Sequence, residues 1–423
     1  MRRLPPSLRA LVHPNYRLWA AADLVSSTGT WMQVLGLNWL VLTSTGSATA
    51  VGLTILFQAV PMLALGSWAG ALTDRLPTRP MALVTQSLHL LLAVALTLIA
   101  LHGASVGAIY LIAALSGVVA VFDGPVMGKL GAQVVPRDDL GNALALGSVL
   151  NSTGRILGMS LGGVLAGLAG NVTLFALNAA SFLAVIVAVL AMRSGALFPL
   201  PASPPERAGV RAGLRYLLAD HRLLVLFGLG FVLSSVGRNY QVSMAAMSTG
   251  PLDAGPEGFG LLSTVFAVGT VLGGLYAAHR RELTITLLLV TAAVTSVLQL
   301  LSGFSPGLLA FAAVLLPIAA GAVLIDTALG TRVQLDTAED MRGRVLAAHG
   351  MVAAGAGALG GPLVGWLAEV LGPARALNVA GVITVAATLA AAAALLRLRR
   401  RREAAAEAGP ETGTSRGLLQ PAV

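Results

Sequence analysis

The chain of 423 residues contains no cysteine and a single lysine, Lys129, and only 11% of its residues are charged. The absence of cysteine excludes disulfide bonds, thiolate metal sites and cysteine nucleophiles. The scarcity of charge argues against a soluble globular protein, in which about 25% of residues are charged. The net charge of +9 comes from arginines in short connections between apolar runs. Because they form no basic face, no nucleic-acid partner is expected.

Apolar residues are abundant instead, at 56% of the chain, and the mean hydropathy is +0.83. A protein of this length has no core large enough to hide that surface, so the surface must face lipid. A bilayer core needs about 20 apolar residues per helix. The sequence therefore predicts an all-α polytopic membrane protein with twelve transmembrane helices, at 18–43, 50–72, 80–101, 106–124, 141–169, 172–193, 223–247, 258–279, 283–303, 307–329, 345–371 and 374–396.

The arginines predict how the chain is oriented. Arg155 and Arg238 fall within predicted helices and Arg375 at the far side, which leaves 24 of the 27 basic residues on the side of the two termini. By the positive-inside rule, both termini are cytoplasmic in a multi-pass protein of the cell (inner) membrane. The predicted parts are an N-terminal six-helix half (1–193), a proline-containing cytoplasmic linker (194–222), a C-terminal six-helix half (223–396) and a cytoplasmic tail (397–423).

An internal repeat supports this division. Ser26-Ser27-Thr28-Gly29 recurs as Ser234-Ser235-Val236-Gly237, an offset of 234 minus 26, or 208 residues. Later the offset contracts to about 202, where Leu157-Gly158 matches Leu359-Gly360. Both copies begin on the same side of the membrane, so the repeat is parallel. Two parallel halves around a central site are typical of secondary carriers.

A loop motif follows the second predicted helix. Gly70 precedes the pair Asp74-Arg75, and Arg79 supplies a further basic residue. This sequence resembles the cytoplasmic loop signature of the major facilitator superfamily, which also lies between helices two and three. The resemblance implies that Asp74 braces the opposite half in the outward-facing state. It also implies that Arg75 pairs with an acid near the end of helix four, where Asp123 is found.

Glycines at four-residue spacing form a second motif on helix five, and helix eleven carries a similar set: Gly154, Gly158, Gly162, Gly361, Pro362 and Gly365. The first set is similar to the antiporter motif of exporters in the same superfamily. Helix packing alone would also favour this spacing. The resemblance covers almost the whole chain and implies the bacterial efflux branch that includes siderophore and macrolide exporters.

Polar side chains within the predicted helices are the candidate pathway for substrate and protons, because a charge at the bilayer centre costs about 2.5–3.5 kcal/mol on insertion scales. They are Asp23, Ser27, Thr30 and Gln33 on helix one, Arg155 on helix five, and Arg238 and Gln241 on helix seven. One interpretation is structural ion pairing, for example of Asp23 with Arg155. The other is a cavity lined by helices one, five and seven. Two central cations against one acid then favour an anionic or zwitterionic substrate.

The sequence contains two partial matches to catalytic motifs, and neither has the residues or the context that ATP hydrolysis or ester hydrolysis requires. Residues 124–129 resemble a phosphate-binding loop but are one residue short and lack the following Ser or Thr. Residues 158–162 fit a serine-hydrolase pattern, yet they lie in an apolar helix without a histidine partner. We therefore expect no enzyme, no cofactor and no metal.

The sequence predicts a monomeric exporter of a small organic solute or drug, working by alternating access, with protons and membrane lipid as its other partners. Nothing in the sequence fixes the direction of transport. The alternatives are an importer or uniporter of an organic anion, or a membrane sensor that does not transport.

Overall fold

The computed structural model describes residues 6–103, 105–198, 215–216, 218, 220–280, 282–337 and 341–407. Its regular structure in these ranges is helical. Most of the predicted linker 194–222 and part of the predicted tail 397–423 lie outside the described residues.

The N-terminal half begins with four separate long helices: α1 Pro14–Thr45, α2 Ala48–Arg75, α3 Thr78–His102 and α4 Val106–Gln133. A continuous helical stretch, Leu140–Ala191, follows with 52 residues. A straight helix of that length would measure about 78 Å, far more than a bilayer core. Gly170 breaks it, with φ 76° and ψ 169°, a conformation that glycine adopts without a steric penalty. The two sides of this break are α5 (140–169) and α6 (171–191).

The C-terminal half opens with an interrupted helix, α7, made of α7a His221–Val232, a π-helical turn Leu233–Gly237 and α7b Tyr240–Thr249. The remaining helices are α8 Gly255–His279, α9 Ile285–Ser302, α10 Leu308–Leu335, α11 Arg342–Leu371 and α12 Pro373–Glu407.

Ten described helical segments are long and apolar enough to cross a membrane. One of them, Arg137–Ala191, contains both α5 and α6 and so supplies two crossings. Helix α1 supplies the twelfth, because its polar side chains lower its hydropathy but not its length. The predicted all-α fold of twelve helices in two parallel six-helix repeats is confirmed.

Three helices differ from their predicted form. Helix α12 continues to Glu407, which is 407 minus 396, or 11 residues past its predicted end, so the first part of the predicted tail 397–423 is helical. Helix α4 continues to Gln133, nine residues past its predicted end at 124, because Pro125 is accommodated within the helix. Asp123 therefore lies inside α4 and not near its end. Helix α7 is not continuous, since Arg238 and Asn239 leave helical geometry between its two parts.

The two halves meet at one side of the membrane. We call the side where α1 and α7 begin the basic side, because most arginines lie there, and the other the distal side. One buried apolar cluster joins both halves at the distal side and includes Leu35, Val51, Met244 and Phe259. Toward the basic side, the buried clusters belong to one half each. The apolar core is thus shared at the distal side and divided at the basic side.

Backbone contacts between glycines close the distal side. A Cβ atom placed on Gly163 of α5 would lie 2.4 Å from Cα of Gly260 on α8. A Cβ on Gly52 of α2 would lie 2.2 Å from the carbonyl carbon of Gly361 on α11. Neither position has room for a side chain, so these glycines set how closely the halves approach.

We expect Gly163→Val to push α5 away from α8 and open the distal side. Because the chain has no cysteine, Thr264→Cys gives a single labelling site. Thr264 faces Ser160 across the same interface, with their hydroxyl oxygens 2.9 Å apart. The measurement is the rate at which a membrane-impermeant maleimide, added from the distal side, labels this cysteine. That rate should rise in the Gly163→Val background.

Gly107→Val is the matched control, because a Cβ atom at Gly107 has no neighbour within 4 Å. It should leave the labelling rate unchanged. Equal labelling with and without Gly163→Val would show that the glycine contact does not close the distal side.

Candidate functional site

The interruption of α7 places Arg238 inside the C-terminal half. The π-helical turn ends at Gly237, and Arg238 has φ −127° and ψ 16°. Asn239 Nδ2 donates a hydrogen bond of 2.6 Å to the Ser235 carbonyl, which the interruption would otherwise leave unpaired. Single turns of π-helix occur frequently at functional sites.

Arg238 is neutralised by an acid on α10. Its guanidinium forms an ion pair with Asp326 and donates a second hydrogen bond to Ser234 Oγ. The Arg238 side chain is 15% exposed, whereas that of Asp326 is 59% exposed. His349 of α11 lines the same small pocket, with its ring 5.2 Å from that of Phe227 at 75°. Arg238 is therefore one member of a charged cluster and not a free cation.

Sequence reasoning missed Asp326. The sequence analysis counted two cations, Arg155 and Arg238, against one acid, Asp23. Asp326 corrects this count, because its ion pair with Arg238 carries no net charge. A signal was present, since Asp326 lies 203 residues after Asp123 (326 minus 123), within the range of offsets that the repeat defines.

Asp123 is the centre of a polar cluster in the N-terminal half. It accepts hydrogen bonds from Thr85 Oγ1 at 2.6 Å and Gln86 Nε2 at 2.9 Å, both on α3. His89 Nε2 lies 3.9 Å from its second oxygen, and the His89 ring stacks on Phe182 at 5.1 Å. All of these neighbours belong to the same half.

The expected pair of Arg75 with Asp123 is not formed, because Asp123 faces α3 from within α4 while Arg75 is exposed at the end of α2. Arg79 donates to the carbonyls of Val189 and Leu190 at 3.1 and 2.8 Å and so caps the end of α6. Gly70 and Asp74 belong to the α2 backbone. The bracing role of Asp74 lies outside the described side chains and stays a prediction.

Asp23 is half-buried on α1 and makes no hydrogen bond or ion pair with the described residues. It does not pair with Arg155, which contacts Trp31 instead. Trp31 is eight residues beyond Asp23, or about 12 Å along a helix axis.

The other polar residues predicted on α1 and α7 have different surroundings. Gln33 accepts a hydrogen bond of 2.8 Å from Asn178, which ties α1 to α6. Gln241 accepts one of 2.8 Å from Asn38, which ties α7b to α1 across the two halves. Thr30 is exposed. Gln33 and Gln241 thus hold helices together in this conformation.

Arg155 lies where α1, α5 and α8 meet. Its guanidinium donates a hydrogen bond to Thr270 Oγ1 on α8 and lies 5.7 Å from the ring centroid of Trp31 on α1. One turn toward the basic side, Asn151 Nδ2 lies 3.4 Å from Ser27 Oγ. One turn toward the distal side, Ser160 contacts Thr264. Two of the predicted polar residues, Ser27 and Arg155, therefore lie along one polar stretch of α5, whereas Gln33 contacts α6.

The predicted glycine motifs bring helices into direct contact. A Cβ atom on Gly154 would lie 2.7 Å from Ser27 Cβ, and one on Gly158 would lie 2.5 Å from the Thr28 carbonyl oxygen. Gly162 is looser, with Met32 Cα at 3.4 Å. On α11, Gly361 meets Gly52, and a Cβ on Gly365 would lie 2.4 Å from the Ala48 carbonyl oxygen; Pro362 follows Gly361 at this contact.

The described residues contain no group of three His, Asp or Glu side chains placed to hold a metal ion. The charged groups within the helices are arranged as two clusters, one in each half, with Arg155 near the interface between them.

We expect Asp326→Asn to lower the melting temperature of the purified protein, because it leaves Arg238 without a counter-charge. Breaking a fully buried pair costs about 3–5 kcal/mol. Because the Asp326 side chain is 59% exposed, we expect about 1–2 kcal/mol here. The double variant Arg238→Gln/Asp326→Asn should recover most of the loss, since no charge remains unpaired.

Asp253→Asn is the control, because it removes an exposed acid from a loop residue whose φ of 42° also suits asparagine. A double variant as unstable as the sum of its single variants would show that Arg238 and Asp326 are not coupled.

Comparison with known proteins identifies the family that the chain matches. A family model described as "Transmembrane secretion effector" matches residues 7–415. The chain is 25% identical to the multidrug efflux pump Tap of Mycolicibacterium fortuitum, over 83% of this chain and 88% of that protein. It is 22% identical to the staphyloferrin A transporter of Staphylococcus aureus (strain NCTC 8325 / PS 47), over 58% of this chain and 62% of the relative, so less than two thirds of that relative is spanned.

The structure is similar to the crystal structure of the nucleoside transporter NupG. The TM-score is 0.73 at 12% identity, covering 90% of this chain and 99% of that one. At this identity the likeness concerns the fold alone.

Proposed function

We propose that this chain, which belongs to the transmembrane secretion effector family of the major facilitator superfamily, is a secondary active exporter of a small organic solute or drug. The named relative that supports export is the multidrug efflux pump Tap, and the staphyloferrin A transporter supports transport of a small organic solute. Transport proceeds by alternating access, and proton entry drives it.

The observation that carries the proposal is the division of the apolar core. One cluster joins the halves at the distal side, while each half keeps its own cluster toward the basic side. This is one end state of a carrier whose halves rock about a central site. The other end state requires the distal contacts, such as Gly163 with Gly260, to separate.

The basic side is cytoplasmic in this proposal, following the arginine distribution. The conformation described is then inward-facing, and solute enters from the cytoplasm. Asp74 acts in the opposite, outward-facing state, where it braces the C-terminal half. Both termini are cytoplasmic, and the chain works as a monomer in the cell membrane.

Proton coupling is assigned to the N-terminal half. Asp23 is half-buried and held by no described hydrogen bond or ion pair. Asp123 is held by neutral donors only, with His89 nearby. Carboxyl and imidazole groups in such surroundings can exchange protons without first breaking an ion pair. Asp23 is the residue assigned to couple proton entry to export.

Topology can be checked directly. Reporters fused after Pro205 and Val423 should both report a cytoplasmic location, because arginine-rich connections stay on the cytoplasmic side of the membrane. A reporter at Asp253, in the connection between α7b and α8, should report the outside. A cytoplasmic signal at Asp253 would contradict the orientation proposed.

We expect Asp23→Asn to abolish uphill export driven by a proton gradient while leaving solute binding and downhill counterflow intact. The physical reason is that asparagine keeps the shape of the side chain but cannot take up a proton. The measurement is accumulation of a drug in inverted vesicles with and without an imposed pH gradient.

Asp138→Asn is the control, because Asp138 is an exposed acid on the basic side. It should behave like the unmodified protein. If the Asp23→Asn protein still concentrates drug against its gradient, Asp23 is not the coupling residue.

A further inference from the structure

A cation inside the membrane requires a counter-charge, and Arg155 is the one whose counter-charge is missing from the described contacts. It makes no ion pair with a described carboxylate, although Arg238 does. Its Nε atom is buried without a hydrogen-bond partner. The guanidinium has five N–H donors, and its hydrogen bond within the described structure goes to the neutral Thr270 hydroxyl.

The acids that could have compensated Arg155 are occupied or distant. Asp326 is paired with Arg238. Asp123 accepts hydrogen bonds from Thr85 and Gln86 of α3. Asp23 lies about two turns from the Trp31 that Arg155 contacts. The described part of the chain therefore leaves the positive charge of Arg155 uncompensated, which is costly in a low-dielectric interior.

The position of Arg155 is suited to a ligand. On its basic side, the exposed Asn151 and the Ser27 hydroxyl provide a polar approach. On its distal side, the approach is closed eight residues further along α5, where Gly163 meets Gly260. A solute could thus reach Arg155 from the basic side along polar side chains. The contact between Gly163 and Gly260 closes the way from Arg155 to the distal side.

We propose that Arg155 binds the carboxylate of the transported solute, together with the Thr270 hydroxyl and the face of Trp31. A guanidinium fork matches a carboxylate in two parallel hydrogen bonds. Trp31 offers an apolar face to the body of the solute beside that charge. The substrate class is therefore an organic carboxylate with an aromatic or apolar body. This inference rests on the proposed function and specifies its substrate.

The site also connects binding to transport. Arg155 belongs to the N-terminal half and Thr270 to the C-terminal half, so a carboxylate on both would bridge the halves. When α5 and α8 separate, Thr270 leaves Arg155 and the carboxylate loses one partner. A ligand that binds the two states with different affinity shifts the balance between them.

The first test uses thermal stability of the purified, full-length protein with three probes of one shape: 2-naphthoate, 2-naphthamide and 2-naphthylmethylammonium. Naphthoate should raise the melting temperature, and the neutral and cationic probes should not. Arg155→Gln should remove the effect of naphthoate, and Arg155→Lys should weaken it, because lysine keeps the charge but lacks the fork.

Arg280→Gln is the matched control, since it removes an exposed arginine that contacts Tyr276. It should keep the naphthoate effect. Without ligand, Arg155→Gln should melt at the same or a higher temperature, because it removes an uncompensated charge, whereas Arg238→Gln should melt lower.

The inference is overturned if naphthoate does not stabilise the unmodified protein, if naphthamide stabilises it equally, or if the effect persists in Arg155→Gln. Uphill accumulation of an uncharged drug inside inverted vesicles tests the proposed function separately. If the protein exports the drug but its melting temperature does not change with naphthoate, the carboxylate site is refuted and the proposed export function still stands.

Discussion

Lipid cannot solvate charge, and this constraint determines how the interior of the bundle is arranged. Each charged side chain within the helices has to be compensated by a partner, by water or by a ligand. Arg238 finds Asp326, and Asp123 finds hydroxyl and amide donors on α3. Among the described residues, Arg155 finds a hydroxyl group and an aromatic face but no carboxylate. These differences assign different roles to residues that look alike in the sequence.

Glycine determines where the halves can meet, because dispersion contacts between helices in lipid depend on close approach. Helix α5 uses two sets of glycines for two neighbours. Gly154 and Gly158 bring it against α1 within the same half, and Gly163 brings it against α8 of the other half. The first contact lies within one half, and the second joins the two halves. The glycines of α5 therefore serve both the packing of the N-terminal half and the closure between the halves.

The architecture could be predicted from the sequence because it follows from one-dimensional properties. Length and hydropathy of each apolar run indicate the number of crossings, and the repeat indicates how the halves are related. The interruption of α7 was not predictable in this way, since the polar residues of 223–247, such as Arg238 and Gln241, do not by themselves end a helix. The extent of α4 was misjudged because Pro125 ends helices in water, while packing accommodates it here.

The partners of the charged residues could not be predicted either, since they depend on which helices are neighbours. Asp123 was assigned to a loop arginine but faces α3, and the pairing of Asp23 with Arg155 is replaced by contacts to Trp31 and Thr270. Only the repeat offset pointed to Asp326.

The two halves share an architecture, but the acid on α4, Asp123, and the acid on α10, Asp326, have different partners. Removing the Asp326 carboxylate would leave the Arg238 guanidinium without a counter-charge, so the ion pair matters where the interrupted helix α7 meets α10. Asp123 instead accepts hydrogen bonds from Thr85 and Gln86 on α3, and the His89 imidazole lies 3.9 Å from its second oxygen. Acids at related positions of the repeat therefore make different contacts: Asp123 ties α4 to α3 within the N-terminal half, whereas Asp326 holds α7 against α10 within the C-terminal half.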